Sequence, residues 1–205
     1  MSLFITFEGG EGCGKSTQAR ALHRRLSTMG LPVVLTHEPG GTPLGARLRR
    51  LLKGDGEIDP LTELLLFNAS RAHLVARVIA PALERGAVVV CDRFSHSTLA
   101  YQGYGRGLPA GLVQSANYVA TQRLIPDLVV LLDMDVDAAL ARRGPRDRFE
   151  REGRDFHQRV RRGYLQMAQA DPRRWHVVDA SLPRREVQRV IWERVGPLLP
   201  ISPVR

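Results

Sequence analysis

Five short runs of apolar and β-branched residues punctuate the chain: Leu3 to Glu8, Pro32 to Glu38, Ala87 to Arg93, Asp127 to Met134 and Trp175 to Ala180. Each is nearly continuous rather than alternating, the pattern of a strand covered on both faces. Helix-length segments separate them, so the order reads βαβα. That order predicts an α/β fold in which a parallel sheet lies between two layers of helices. Asp59 and Pro60 make an N-cap and N1 pair opening a long helix, with Leu61, Leu64, Leu65, Ala72, Val75 and Ile79 as its expected buried stripe. Phe67 and Arg71 are four apart and share the flank of that stripe. Residues 142 to 155 carry Arg and Gly without an apolar stripe and are expected to form a mobile lid, and 197 to 205 a frayed tail. No repeat or linker interrupts the pattern, so residues 1–205 are expected to form one domain.

Composition adds limits. An apolar fraction of 43% and a charged fraction of 25% are those of an ordinary folded protein. No apolar run approaches the ~18 residues of a membrane span, and the start lacks a basic leader, so a cytoplasmic protein is expected. Cys13 and Cys91 are too few for a disulfide framework and are expected to be reduced packing residues. The net charge of +9 fits a polyanionic partner, but nine Arg and four acidic residues crowd into 142 to 162, so the excess is local. Only Lys15 and Lys53 are lysines, which makes Lys15 notable as a site that needs a compact ammonium rather than a planar fork.

The chemistry begins at Gly9-Gly10-Glu11-Gly12-Cys13-Gly14-Lys15-Ser16-Thr17. It matches G-x-x-x-x-G-K-[ST] between an expected strand and an expected helix, the phosphate-binding loop of nucleoside triphosphatases and kinases. Its glycines let backbone N–H groups turn toward phosphate oxygens, and the positive end of the next helix adds to the attraction. Lys15 is expected to reach the β and γ phosphates, and the Ser16 hydroxyl to coordinate Mg²⁺. The loop alone does not name a reaction. No N-K-x-D guanine-reading motif occurs, which counts against a GTPase.

Five segments in order, FEGGEGCGKST, EPGGT (Glu38 to Thr42), DRF (Asp92 to Phe94), STLAYQGYGRGL (Ser97 to Leu108) and DRFE (Asp147 to Glu150), resemble bacterial thymidylate kinases. The resemblance spans nearly the whole chain. It implies a five-stranded P-loop fold of the nucleoside monophosphate kinase type with a lid. It also implies transfer from ATP with Mg²⁺ to thymidine monophosphate (dTMP) on the route to dTTP, and usually a homodimer. ATP and dTMP are the implied partners, with no nucleic acid and no membrane.

Roles follow from the same resemblance. Arg93, at the end of the third strand, would grip the acceptor phosphate, with Arg49 as a second candidate. Asp92 would act with Ser16 near Mg²⁺. Phe67 would stack on thymine and Arg71 would bond its carbonyl edge. Tyr101 would pack where a ribose 2′-hydroxyl would go, Gln102 lies in the same diagnostic segment, and Glu38 and Ser97 are counted with the dTMP contacts. Glu11 would face the acceptor sugar 3′-hydroxyl. Because Gly10, Glu11, Gly12 and Cys13 include no arginine, the resemblance sends catalytic positive charge to the lid, where Arg143 and Arg148 are the choices and Arg142 and Arg146 the substitutes. His37, Ser70 and His96 depart from the usual pattern, with His96 expected to be an exposed loop residue. The competing reading, from the charge and the Arg cluster, is a nucleic-acid-binding ATPase.

Overall fold

All five apolar runs form strands: β1 (Leu3–Glu8), β2 (Val33–His37), β3 (Val88–Asp92), β4 (Leu128–Asp133) and β5 (Trp175–Asp179). The structure is a computed structural model describing residues 2–142 and 147–199. Arg143 and Arg146, and residues 200–205 of the expected tail, lie outside the described residues. The strands make one parallel sheet in the order β2-β3-β1-β4-β5. Side chains alternate between its faces, and both faces are covered, which is why the runs read as continuously apolar. Leu128, Val130 and Leu132 of β4 join one buried cluster, while Val129 and Leu131 join another on the opposite face.

The first face is covered by α1 (Lys15–Thr28) and, late in the chain, by a helix at Arg184–Val195. Leu22 and Leu26 from the one, with Val187 and Ile191 from the other, pack against Ile5 and Phe7 of β1. On the β2 side follow α2 (Pro43–Lys53) and α3 (Pro60–Leu74), the latter running through a π-helical turn, Val75–Ile79, into α4 (Ala80–Glu84). Asp59 caps α3 as expected, its Oδ1 accepting from the N–H groups of Leu61 and Thr62 at 3.1 and 3.0 Å. After β3 comes α5 (Ser95–Thr98), widening into a second π-helical segment, Leu99–Gly105, and then α6 (Ala110–Thr121). The remaining helices are α7 (Val136–Ala141), α8 (Arg154–Ala170) and α9 (Arg184–Val195).

The expected stripe of α3 holds only in part. Leu64, Val75 and Ile79 are buried, but Leu61 and Leu65 are exposed, and Glu63, Asn68, Ser70 and Arg71 turn inward instead. A polar network beneath the site displaces the apolar pattern there. The expected lid is also shorter than 142 to 155. Arg154 already opens α8, and Phe149 is buried against Tyr101 and Phe156, so this part of the segment is anchored by an aromatic plug. The tail likewise packs farther than expected, because Leu198 and Leu199 join the cluster of α1 and α9.

Candidate active site

The strand ends converge on one cavity of about 620 Å³ at the carboxyl edge of the sheet. Its wall includes Glu11, Gly12, Lys15 and Ser16 of the phosphate loop, Glu38, Arg49 and Lys53 from the β2–α2 side, Phe67 of α3, and Asp92, Arg93, Ser97, Tyr101 and Gln102. The carboxyl ends of parallel strands are where open α/β sheets bind ligands.

The loop is shaped by glycines that no other residue replaces. Gly9 and Gly12 have φ of 140° and 74°, and a Cβ on them would lie 2.4 Å from the Leu132 carbonyl oxygen and 2.2 Å from that of Ala139. Gly14, at φ 84°, is the N-cap of α1; no side chain caps that end and its first turn holds no acid, which suits the helix start to an anion. Lys15 is buried and its Nζ donates to the Gly10 carbonyl. Burial and the nearby Arg93 pull the Lys15 pKa down from its ordinary value. The Ser16 hydroxyl donates to Asp92 Oδ2, so the two residues expected beside Mg²⁺ are in contact.

Arg93 joins the two halves of the cavity. It has a left-handed backbone, φ 71°, unusual for a side chain of its size. Three contacts hold the turn: Arg93 N donates to the Phe7 carbonyl at 2.9 Å, Phe94 N to Glu8 Oε1 at 2.8 Å, and Cys91 Sγ to the Arg93 carbonyl at 3.0 Å. Its guanidinium donates to Glu11 Oε1 at 2.6 Å and to the Tyr101 hydroxyl at 3.0 Å through Nη2, and to Gly9 O, Ser97 Oγ and Tyr164 Oη through Nη1. Tyr101 in turn donates to Glu11 Oε1 at 2.9 Å. Burial pushes the Glu11 carboxyl upward, but the Arg93 and Lys15 charges outweigh it and hold the pKa at about 2. Glu11 is therefore an ionised acceptor inside the phosphate loop.

The base side differs in detail from the sequence expectation. Phe67 lines the cavity and tilts against Phe149, ring centroids 5.7 Å apart. Arg71 does not reach the wall. It is 1% exposed, and its guanidinium donates to Glu38 Oε2 at 2.8 Å, Asn117 Oδ1 at 2.7 Å, Asn68 Oδ1 at 3.2 Å and the Phe94 carbonyl at 3.2 Å. Glu38, which does line the wall, draws it inward. Burial raises the Glu38 pKa to about 7 despite the neighbouring Arg71, and its Oε1 has no protein partner among the described residues. Tyr101 and Gln102 are both buried although adjacent, within the π-helical turn Leu99–Gly105. Arg49 lines the cavity with its Nη1 on the Pro39 carbonyl at 3.1 Å.

The lid side corrects one expectation. Arg148 does not line the cavity: its Nε donates to the Leu52 carbonyl at 3.2 Å and its Nη2 lies 2.6 Å from Glu63 Oε2. A buried carboxylate on α3 holds it there. Arg143 lies outside the described residues, and Arg142 donates to the Ala180 carbonyl. Arg151, Arg154 and Arg161 pair with Asp55, Asp137 and Asp133, so much of the basic cluster is already neutralised within the chain. That weakens the Arg cluster as a support for the nucleic-acid reading, while the net charge of +9 stands. His96 packs its ring edge-on against Trp175, centroids 4.8 Å apart, instead of standing exposed; burial and the nearby Arg174 take its pKa down to about 4.

Sequence reasoning missed several members of the site. Lys53 lines the cavity and pairs with Asp147. Glu8 is fully buried beneath Arg93, accepting from Ser97 Oγ at 2.6 Å and Tyr164 Oη at 3.0 Å, and burial raises its pKa. An acid closing an otherwise apolar strand was the available signal for Glu8; Tyr164, one aromatic in an amphipathic helix, carried none.

A phosphate loop, an opposed arginine and a base-sized aromatic wall on one five-stranded parallel sheet define a P-loop phosphotransferase of the nucleotide kinase class. The comparisons narrow the class. The family model "Thymidylate kinase" matches residues 7–191. A thymidylate kinase of Dehalococcoides mccartyi (strain CBDB1) is 57% identical over 203 residues, 97% of this chain and 98% of that protein. One from Deinococcus radiodurans is 50% identical over 198 residues, covering 95% and 96%. The crystal structure of thymidylate kinase from Ehrlichia chaffeensis superposes with a TM-score of 0.78 at 36% identity, covering 97% of this chain and 99% of that one. The chain belongs to the thymidylate kinase family.

Proposed function

We infer that this chain transfers the terminal phosphoryl group of ATP to the phosphate of dTMP, giving ADP and dTDP. One observation carries the reading: Arg93 spans a single cavity, touching Glu11 in the phosphate loop and Tyr101 on the base side. Without substrate its guanidinium is neutralised by Glu11. An arriving acceptor phosphate takes the bidentate donors of Arg93, with Arg49 alongside, and frees the Glu11 carboxylate to accept from the sugar 3′-hydroxyl. An acceptor phosphate oxygen then forms a bond to the γ-phosphorus as the bond to the β–γ bridging oxygen breaks. Lys15 and the N–H groups of the loop oppose the charge that develops.

Ser16 and Asp92 offer a hydroxyl and a carboxylate oxygen side by side, hard donors of the kind Mg²⁺ prefers. When bound, the ion would neutralise phosphate charge. Arg148 is committed to Glu63, so the transferred group is assigned to Arg143, with Arg146 as its substitute. Phe67 stacks on the base, and Tyr101 fills the space beside the deoxyribose.

The assembly proposed is a homodimer. Leu51 on α2, Leu61 and Leu65 on α3, and Leu112, Tyr118 and Val119 on α6 are exposed apolar residues on three helices packed side by side. Leu61 and Leu65 are one turn apart and Leu112 and Val119 two, so each pair lies on one helix face. A second copy meeting the same face by a two-fold axis covers it. No helix among the described residues is long and apolar enough to cross a membrane. A cytoplasmic location, where ATP is at hand, goes with this reading.

The test is an acceptor panel with Mg-ATP. Turnover on dTMP should exceed that on dCMP, dAMP, dGMP and thymidine; a different preferred acceptor, or none, would refute the assignment.

A further inference from the structure

Glu63 is fully buried on α3 and takes no part in the phosphate chemistry above. Its Oε1 accepts from Gln102 Nε2 at 2.7 Å and from Arg106 Nε at 3.3 Å. Its Oε2 accepts from Arg106 Nη2 at 3.3 Å and lies 2.6 Å from Arg148 Nη2. Arg106 is held from its other side by Glu152. One carboxylate thus gathers the π-helical turn that lines the cavity and the segment that follows the lid.

Its effect on Gln102 is directional. A primary amide presents donors at one end and an acceptor at the other, while a carboxylate only accepts. Gln102 can therefore face Glu63 through Nε2 alone, which turns its Oε1 away. That oxygen has no hydrogen-bond partner among the described residues, and Gln102 lines the cavity together with Phe67. With a neutral or absent partner at position 63 the amide has no reason to keep one orientation.

We propose that Glu63 is the positioning residue for base selection: it fixes the Gln102 amide with its oxygen toward the cavity. The site then favours a pyrimidine whose N3 carries a hydrogen over one whose N3 is a bare acceptor. Thymine donates to that oxygen. Cytosine sets a lone pair against it. The inference rests on the dTMP reading and adds to it the residue that sets the polarity of the base contact. A residue serving only to neutralise Arg106 and Arg148 would stabilise the fold without preferring one pyrimidine over another.

The experiment measures calorimetric affinity and KM for dTMP and dCMP on the full chain, in wild type, Glu63→Gln, Glu63→Asp, Gln102→Met and the double variant Glu63→Gln/Gln102→Met. Glu63→Asp keeps the charge opposite both arginines while withdrawing the carboxylate from Gln102, so it carries the test should Glu63→Gln fail to fold. Both single Glu63 variants should narrow the dTMP-over-dCMP preference by about tenfold or more, while KM for ATP shifts by less than about twofold. In the Gln102→Met background, adding Glu63→Gln should change the preference no further. An unchanged preference in a folded Glu63 variant, or a full additional loss in the Gln102→Met background, would overturn the inference. A wild-type protein with no affinity for dTMP would remove the inference together with the reading beneath it.

Discussion

The pKa values of two carboxylates on the wall of one cavity are shifted in opposite directions by what surrounds them. At Glu11, burial is outweighed by Arg93 and Lys15 and the pKa falls to about 2; at Glu38, burial wins over Arg71 and raises it to about 7. The stability consequences have opposite signs. Glu11 contributes stability above its ordinary value of 4.5, and that contribution is lost as pH falls toward about 2. Glu38 stays protonated in the fold while the unfolded chain ionises near 4.5, so its contribution declines as pH rises from there to about 7. Melting curves across pH should show Glu11→Gln differing most from wild type near neutrality and converging in acid. Glu38→Gln should instead flatten the decline between pH 4.5 and 7. Arg93→Lys tests the bidentate grip. It keeps a charge but loses the fork that spans Glu11, Tyr101 and the acceptor phosphate, so kcat/KM for dTMP should fall by about 10²-fold or more with ATP affinity little changed. At this scale the phosphate loop was legible from spacing, because its chemistry requires fixed residue types, whereas Asp92 and Arg93 were named by their place at a strand end and by the family resemblance. The inward turn of Arg71 was not, since it depends on Glu38, 33 positions away in sequence.

The elements explain why those residues meet. β1 leads into a loop whose glycines permit a backbone path no side chain tolerates, and α1 aims its uncapped N-terminus along that path. Gly12→Ala would press a Cβ to 2.2 Å from the Ala139 carbonyl and strain a left-handed backbone. Nucleotide titrations should show ATP affinity falling by about tenfold or more, with a stability loss of about 1–3 kcal/mol. The five strands were visible in the sequence because burial on both faces makes a run continuously apolar. The face of α3 was not, because Glu63, Asn68, Ser70 and Arg71 point inward, where helical periodicity would place apolar residues. Nor did composition reveal the anchor in the lid segment. Phe149 is a single aromatic among charged neighbours, and only the tertiary contact with Tyr101 and Phe67 identifies its role.

For the whole molecule, the apolar residues left outside on α2, α3 and α6 are the surface on which the homodimer is proposed. Leu65→Glu with Val119→Glu should convert a dimer to a monomer in sedimentation at micromolar concentration, because two buried like charges would face each other across a two-fold axis. A wild-type protein that sediments as a monomer would end that proposal. The Arg-rich stretch, by contrast, is a poor guide to function, since four of its arginines pair with Asp55, Glu63, Asp133 and Asp137 within the same chain. The central claim is that one cavity joins a triphosphate donor to a thymidylate acceptor. It is tested most directly by counting products from purified enzyme given Mg-ATP and dTMP. One dTDP should form for every ADP, and Lys15→Ala should reduce the rate by at least about 10³-fold. ADP released without dTDP, or dTDP formed at an undiminished rate by Lys15→Ala, would contradict the account.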